Sequence, residues 1–409
     1  TTDISCLNPK LHVYWQSVFN PGQYLEPSKN PADVSQISYY LRGYGELYIN
    51  GGKQGNITTK DTDHFDDAVI IHEVGHRIED VCGKMDSPGG THNGLFRIDP
   101  RLAWSEGWGN FFGSHMIKNN ISTINPETGN EINSHGGWLY YLDTEGYKDG
   151  STGTAKELIR FNLTKAGNNP EALGGGYFYD KIDASTNPGE GHFREVSIAR
   201  SLFKTTNTCI SPCTNTNYFS QIWQAFEKRT GGVGMGQSSY PFRSSVRFYD
   251  RLKQVFSGTL PASIDSVLTN EAQQPHGSAD YTLSGNLTWP SYGIKLVRSG
   301  SACTTPLEIR PKTEELTVTN SNSDQRYSNH FFYIDKTGVL TPNNITSITL
   351  TPTYVAGTTA IDFDLILYQE SYRFAEDSSS KTISSSDFIR SFAALNFSES
   401  LSSAILNFK

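Results

Sequence analysis

The stretch Asp67-Ala68-Val69-Ile70-Ile71-His72-Glu73-Val74-Gly75-His76-Arg77-Ile78 decides the fold. Its apolar side chains recur with the spacing of a buried helix, and Asp66 or Asp67 can cap the first N–H groups of that helix. His72 and His76 lie four residues apart, so they share one helix face. Two imidazoles on one face can bind a single metal ion. The stretch therefore predicts a helix that carries a metal site.

A second helix is predicted to begin at Asp99 and Pro100 and to continue to Met116, with Asp as the cap and Pro at the first helical position. Apart from Ser105, Glu106 and Asn110, its central part is apolar. Burying an unpaired carboxylate is costly, so Glu106 needs a partner. That partner is either a metal ion or one of three arginines, Arg77, Arg97 and Arg101.

A site of two histidines and one carboxylate is typical of catalytic zinc, which keeps a fourth position open for water. Zn²⁺ lowers the pKa of water to about 7, and an adjacent carboxylate can then act as general base. Glu73, next to His72, is the candidate for that base. We therefore expect His72, His76 and Glu106 as metal ligands. Asn110, one turn after Glu106, is expected to orient one of the ligand histidines.

The two helices together resemble the gluzincin metallopeptidases, in particular the fungalysin and thermolysin branch. The resemblance rests on His-Glu-x-x-His at residues 72–76 and on Trp104-Ser105-Glu106-Gly107-Trp108-Gly109-Asn110, and it covers roughly residues 65–116. It implies a zincin-like fold, with His72, His76 and Glu106 as zinc ligands and Glu73 as general base. One departure is Asn110, because the family usually has Asp there. The neutral amide raises ligand basicity less, which implies either a lower metal affinity or rate, or another carboxylate in the role of that Asp.

A competing pattern is that of the metzincins, which place a third ligand six residues after the second histidine. Cys82 occupies that position, and Glu79 stands where the pattern has glycine. Both departures count against the metzincin pattern. Cys82 is thus either a metal ligand or one half of a disulfide, with Cys6 as a candidate partner. A second short disulfide, between Cys209 and Cys213, is also expected.

Peptide hydrolysis requires a donor for the oxyanion. His192 begins a predicted helix in a segment that loosely resembles the fungalysin segment carrying such a histidine. Tyr177 and Tyr179, after three glycines, are its rivals. His92 and His135 lie in glycine-flanked loops, where they either line a cleft or are simply exposed.

The rest of the chain predicts two domains, as a length of 409 residues also suggests. Residues 1–283 are expected to form an α+β, mostly helical domain, with a strand ending in a tight turn at 44–52 and further helices at 193–204, 218–229 and 242–256. From residue 284 onward, short segments alternate with period two, which predicts an all-β sandwich over 284–409.

Charge and composition indicate which classes of partner and which cellular locations the protein can have. The net charge of −8 argues against a nucleic-acid partner, and no apolar run approaches the about 20 residues of a membrane span. The Ser-, Thr- and Asn-rich composition suits a secreted, periplasmic or cell-surface protein.

The expected function is zinc-dependent hydrolysis of a protein or peptide substrate, as an endopeptidase, while the sandwich binds a surface protein or glycan. The alternatives are a catalytically weak binding protein on the same scaffold and a zinc hydrolase of a non-peptide amide or ester.

Overall fold

The computed structural model describes most of the helical part of the chain and the strands of the part beyond it. The described residues are 5–8, 10–17, 19–30, 37–51, 63, 66–90, 92, 98–120, 123–124, 131–132, 138–142, 158–163, 191, 194–207, 218–237, 243–271, 273, 291–295, 298–299, 302–303, 307–309, 328–335, 347–354, 365–369, 372–377, 382–384, 391–396 and 401–408. Within residues 5–273 the described part is mostly helical, with one small three-stranded sheet.

That sheet consists of β1 (His12–Tyr14), β2 (Tyr39–Leu41) and β3 (Glu46–Tyr48), with β3 in the centre. β3 pairs antiparallel with β2 and parallel with β1. The predicted strand is present, and a hairpin turn at residues 42–45 precedes it, whereas the turn predicted after the strand reaches residue 52, which lies outside the described residues. Gly43 and Gly45 have φ values of 79° and 68°, which glycine adopts without steric cost.

The helix predicted around the two histidines is α2 (Asp67–Ile78). Its N-cap is Asp66, whose carboxylate accepts hydrogen bonds from the backbone N–H groups of Ala68 and Val69. One π-helical turn, Glu79–Gly83, continues α2 and ends at Lys84 in the left-handed conformation. A disulfide joins Cys82 in this turn to Cys6, so the disulfide interpretation of Cys82 is confirmed and its role as a metal ligand is wrong.

The second predicted helix is α3 (Pro100–Asn120), and it begins as the sequence indicated. The Asp99 carboxylate accepts a hydrogen bond from the backbone N–H of Arg101 at 2.8 Å. Aromatic side chains of α3 form the centre of the core. Trp108 stacks on Phe226 with ring centroids 4.0 Å apart, and Trp104 stacks on Phe248 at 4.8 Å. Because the rest of α3 is held in this apolar core, Ser105, Glu106 and Asn110 contact the histidines of α2 at fixed positions.

Four helices pack around or near α3. They are α4 (Glu195–Asn207), α5 (Phe219–Phe226), α6 (Ser245–Val255) and α7 (Ala262–Asn270), and a short helix, α1 (Pro21–Leu25), lies near the beginning of the chain. The first three correspond to the predicted helical segments, whereas α7 was not predicted. No helix within the described residues is both long and apolar enough to cross a membrane.

Short strands follow α3 in two antiparallel pairs. They are β4 (Thr123–Ile124) with β5 (Glu131–Ile132), and β6 (Trp138–Leu142) with β7 (Leu158–Asn162). β6 runs beside α2 and α3.

The strands beyond residue 290 form a five-stranded sheet, a four-stranded sheet and one short pair. Their bounds are β8 (Ser291–Lys295), β9 (Arg298–Ser299), β10 (Ala302–Cys303), β11 (Leu307–Ile309), β12 (Ser328–Asp335), β13 (Ser347–Tyr354), β14 (Leu365–Gln369), β15 (Tyr372–Asp377), β16 (Thr382–Ser384), β17 (Ser391–Asn396) and β18 (Leu401–Phe408). The order is β15-β14-β17-β12-β8 in the larger sheet and β11-β18-β13-β16 in the smaller. Packing of these sheets into a sandwich stays a prediction, as does the division of the chain at residue 283.

Candidate metal centre

His72 lies between two polar side chains of α3. Its Nε2 is 3.2 Å from Glu106 Oε2, and its Nδ1 is 3.0 Å from Asn110 Oδ1. When Nδ1 carries the proton and donates it to the Asn110 amide oxygen, Nε2 presents a lone pair toward Glu106. The structure thus brings His72 and Glu106 together, with Asn110 in the orienting position that the sequence suggested.

His76 has the same arrangement with different partners. Its Nε2 is 3.4 Å from Glu106 Oε2, and its Nδ1 is 3.2 Å from Ser105 Oγ. The Ser105 hydroxyl donates to Glu79 Oε2 at 2.6 Å, which leaves its oxygen free to accept from Nδ1–H of His76. Ser105 and Glu79 were not among the predicted site residues. The signals were present, since Ser105 precedes Glu106 and Glu79 lies three residues after His76.

The distances between these atoms fit a shared ion better than direct hydrogen bonds. Nitrogen–oxygen hydrogen bonds cluster at about 2.9–3.0 Å. Four ligands at about 2.0–2.1 Å from a tetrahedral zinc lie about 3.3–3.4 Å from one another. The 3.2 and 3.4 Å separations from Glu106 Oε2 to His72 and His76 fall close to that edge length. The donor set of two imidazoles and one carboxylate therefore fits Zn²⁺.

Glu73 completes the group on α2. His72, Glu73 and His76 are all buried, and each offers a ligand atom within 4.8 Å of the others. With Glu79 and Glu106, Glu73 makes three buried carboxylates around the two histidines. Several carboxylates in a dehydrated environment favour a bound cation, because it offsets their mutual repulsion.

A third histidine, His92, reaches the same carboxylate from the loop between α2 and α3. Its Nε2 is 3.5 Å from Glu106 Oε2, and its Nδ1 is 2.9 Å from Glu195 Oε2 at the beginning of α4. The sequence marked His92 only as a loop histidine that either lines a cleft or is exposed. Glu195 gave no signal, because it lies 103 residues further along the chain. We call His72, His76, His92 and Glu106 the histidine–Glu106 cluster.

The electrostatics of the cluster favour added positive charge. Burial alone would lower the pKa of His92, but the charges of Glu106 and Glu195 outweigh burial and raise the pKa to about 9. Burial also opposes the charged form of His76, yet Glu106 raises the pKa of His76 well above its usual value. Burial would raise the pKa of Glu106, whereas the charges of His92 and His76 hold that pKa far below its usual range. The cluster therefore gathers cations, either as protons or as a metal ion.

Glycines on α3 let the helices approach closely enough to form the cluster. A Cβ built on Gly109 would lie 2.8–3.0 Å from ring atoms of His72, closer than real side chains pack. A Cβ on Gly107 would lie 2.6 Å from the Cβ of Ile198 on α4. Gly109 therefore gives the His72 ring its space, and Gly107 allows α4, which begins with Glu195, to approach α3.

The alternative arginine partners of Glu106 are engaged elsewhere. Arg101 forms an ion pair with Asp99 at 2.5 Å, and Arg77 donates to the hydroxyl of Tyr40 at 3.5 Å. Arg97 lies outside the described residues, as do His135, His192, Tyr177, Tyr179 and the Cys209–Cys213 pair.

No known protein family matches the sequence, and no curated protein or solved structure is recognisably similar to the chain. The assignment of a function therefore depends on the chemistry of these residues.

Proposed function

We propose that this protein is a secreted zinc-dependent peptidase of the gluzincin type. One observation supports the proposal above all others: the Nε2 atoms of His72 and His76 meet Glu106 Oε2 at 3.2 and 3.4 Å, on two helices, with the buried Glu73 beside them. An ordinary structural ion pair needs neither the second imidazole nor an adjacent second carboxylate.

His72, His76 and Glu106 would hold the zinc ion. When bound, zinc supplies a Lewis acid that polarises the scissile carbonyl and lowers the pKa of water to about 7. The side chains behind the ligands keep them in place. Asn110 holds His72 and Ser105 holds His76, each through Nδ1, so that both Nε2 atoms face Glu106 Oε2.

Glu73 is the proposed general base. Its carboxylate takes a proton from the attacking water, whose oxygen forms a bond to the carbonyl carbon of the peptide. The same proton then passes to the amide nitrogen as the C–N bond breaks, giving a carboxylic acid and an amine. The acid then loses its remaining proton to the released amine or to solvent. A buried carboxylate suits this role because fewer water molecules compete for the proton.

His192 is proposed as the donor that stabilises the oxyanion, with Tyr177 and Tyr179 as rivals. The assignment of His192 rests on its loose resemblance to the corresponding fungalysin segment and on its place immediately before α4, which is packed against α3.

The proposed substrates are proteins or peptides, cleaved as by an endopeptidase, with residues 1–283 as the catalytic domain. Residues 284–409 are proposed to form a β-sandwich accessory domain that binds a surface protein or glycan. The Cys6–Cys82 disulfide supports export, because such bonds persist mainly in oxidising compartments.

The test compares the wild-type chain with Glu73→Gln, using cleavage of casein and of a peptide library together with elemental analysis of the purified protein. We expect one equivalent of zinc in both proteins, and cleavage only by the wild type. The matched control is Asp67→Asn, which removes a carboxylate from an exposed position on the same helix. This control should cleave normally.

Two results would contradict the proposal. A wild-type protein that binds zinc but cleaves no peptide would favour the non-peptide hydrolase or the binding protein. Cleavage that persists in Glu73→Gln, or in the presence of a chelator, would remove Glu73 or the metal from the reaction.

A further inference from the structure

His92 is bound more tightly at one nitrogen than at the other. Nδ1 lies 2.9 Å from Glu195 Oε2, the length of an ordinary hydrogen bond, whereas Nε2 stands 3.5 Å from Glu106 Oε2. Glu195 is 4% exposed, so its bond to the imidazole is shielded from solvent. Glu195 therefore orients the ring of His92, whose Nε2 faces Glu106.

This arrangement repeats that of the two proposed ligands. His72 and His76 also contact an oxygen through Nδ1 and direct Nε2 toward the same atom, Glu106 Oε2. The three Nε2 atoms lie 3.2, 3.4 and 3.5 Å from that oxygen, each near the edge of a zinc tetrahedron. Histidines that bind metals almost always donate their other N–H to a carboxylate or carbonyl.

We propose that His92 is a fourth ligand of the same ion, oriented by Glu195. The inference rests on the metal site of the proposed function and extends it to a loop residue outside the two helices. With His72, His76 and Glu106, His92 would complete a tetrahedral set.

Four protein ligands are typical of a closed site, whereas catalysis requires an open position. His92 would therefore occupy, in the absence of substrate, the position that water and the scissile carbonyl need. It is the most exposed member of the cluster, with 34% of its side chain accessible compared with 8–10% for the other three. We infer that His92 keeps the resting protein inactive by occupying this position, and that it leaves the ion when substrate enters.

The backbone before His92 allows its approach. Gly89 and Gly90 have φ values of 67° and 122°, conformations that side-chain-bearing residues rarely adopt. His92 follows these glycines by two residues.

The experiment measures zinc affinity by competition with a chromogenic chelator, and the visible spectrum of the cobalt-substituted protein. The variants are His92→Ala, His92→Gln and Glu195→Gln, and circular dichroism verifies that each one folds. The matched control is His12→Ala, because His12 is an exposed histidine on β1.

We expect both His92 variants to bind zinc at least tenfold more weakly than wild type, with a changed cobalt spectrum that added imidazole restores in His92→Ala. Glu195→Gln should weaken binding by a smaller factor, and His12→Ala should have no effect. Peptide cleavage per bound zinc should be unchanged or higher in the His92 variants, because the fourth position is then open.

Unchanged zinc affinity and an unchanged cobalt spectrum in both His92 variants would overturn the proposal while leaving the three-ligand site intact. A hundredfold fall in cleavage per bound zinc, with the spectrum unchanged, would instead identify His92 as an oxyanion donor. If wild type and His12→Ala bind no metal, the proposed function itself fails and the role of His92 fails with it.

Discussion

Two buried carboxylates, Glu106 and Glu271, show how differently the same group can be used in this protein. Glu271 is fully buried and accepts from Lys204 Nζ at 2.6 Å, from Arg200 Nε at 3.2 Å and from the Ser197 hydroxyl at 3.0 Å. Its partners are two permanent cations and a hydroxyl. Glu271 is therefore neutralised within the fold and ties the end of α7 to α4.

Glu106 has no such permanent cation among the contacts described above. Its neighbours are three imidazoles, whose Nε2 atoms lie 3.2–3.5 Å from Glu106 Oε2. The Nδ1 atom of each imidazole contacts another oxygen atom of the protein. Imidazoles can release their protons, whereas a guanidinium cannot. The difference indicates that Glu271 contributes to stability, and it supports the proposal that Glu106 binds an exchangeable ion.

The largest expected effect is the loss of stability when Glu271 is replaced, a loss that should be smaller for Glu106. Glu271→Gln leaves Arg200 and Lys204 without their anion, and we expect a loss of about 3–5 kcal/mol in the free energy of unfolding. Urea denaturation of the metal-free protein measures it. The control is Glu26→Gln, which breaks an exposed ion pair with Lys29 at 2.7 Å and should cost less than about 1 kcal/mol. Equal losses in the two variants would contradict the structural role of Glu271.

Glu106→Gln is expected to behave in the opposite way to Glu271→Gln, with a large effect on zinc binding and a smaller effect on stability. Replacing the anionic ligand should weaken zinc binding more than about 100-fold, since even residues behind the ligands change affinity by 10–100-fold. In the metal-free protein at pH 8 the variant should lose less stability than Glu271→Gln, because the imidazoles can give up their protons. Chelator competition provides the affinity, with Glu271→Gln as the matched carboxylate. Normal zinc binding by Glu106→Gln would contradict the proposed difference between Glu106 and Glu271.

The sequence predicted the parts of this site that depend on local patterns. A cap at Asp66 or Asp67, the shared face of His72 and His76, and the start of α3 at Pro100 all follow from spacing within a few residues. The proximity of Glu106 to the histidines was expected because a carboxylate on an apolar helix needs a partner.

Contacts between distant segments escaped prediction. The bond from His92 to Glu195 spans 103 residues, and no local pattern signals it. Ser105 and Glu79 are visible in the sequence as neighbours of Glu106 and His76, but their hydrogen bond depends on how α3 packs against the end of α2 and was not predicted. Helix α7 was missed for a related reason. Its exposed polar residues conceal a short apolar face, Ile264 and Leu268, that is recognisable only against α4.

A smaller effect concerns pH. The pKa of His92 is raised to about 9 by Glu106 and Glu195, which outweigh burial. A raised histidine pKa contributes stability that is complete below the unfolded value of about 6.5 and is lost as pH rises through the folded value. In metal-free protein we expect unfolding free energy to fall between pH 6.5 and 9, by about 1–2 kcal/mol after allowance for solvent screening. His76 acts in the same direction.

The comparison with zinc-loaded protein sharpens this prediction. Ligand histidines bind metal only when neutral, so zinc affinity should rise with pH over the same range. Between pH 6.5 and 9 the unfolding free energy of the zinc-loaded protein should therefore fall less than that of the metal-free protein, or rise. Urea denaturation at pH 6.5, 8 and 9, with chelator or with zinc, measures both trends. His92→Gln should flatten the metal-free trend, and His12→Ala should leave it intact. A metal-free stability that rises with pH would contradict this assignment of charge.

The smallest expected effect concerns Asn110, whose amide oxygen lies 3.0 Å from Nδ1 of His72. In Asn110→Asp a carboxylate accepts the same hydrogen bond and makes the imidazole a stronger ligand, so zinc affinity should rise about tenfold. Asn8→Asp adds the same charge at an exposed position and should leave affinity unchanged. If affinity instead falls, the several carboxylates around the histidines already supply all the negative charge that one ion can offset. Asn110 would then be the residue that limits repulsion in the metal-free protein, which is the reason a neutral amide would serve better here than the Asp usual in the gluzincins that the sequence resembles.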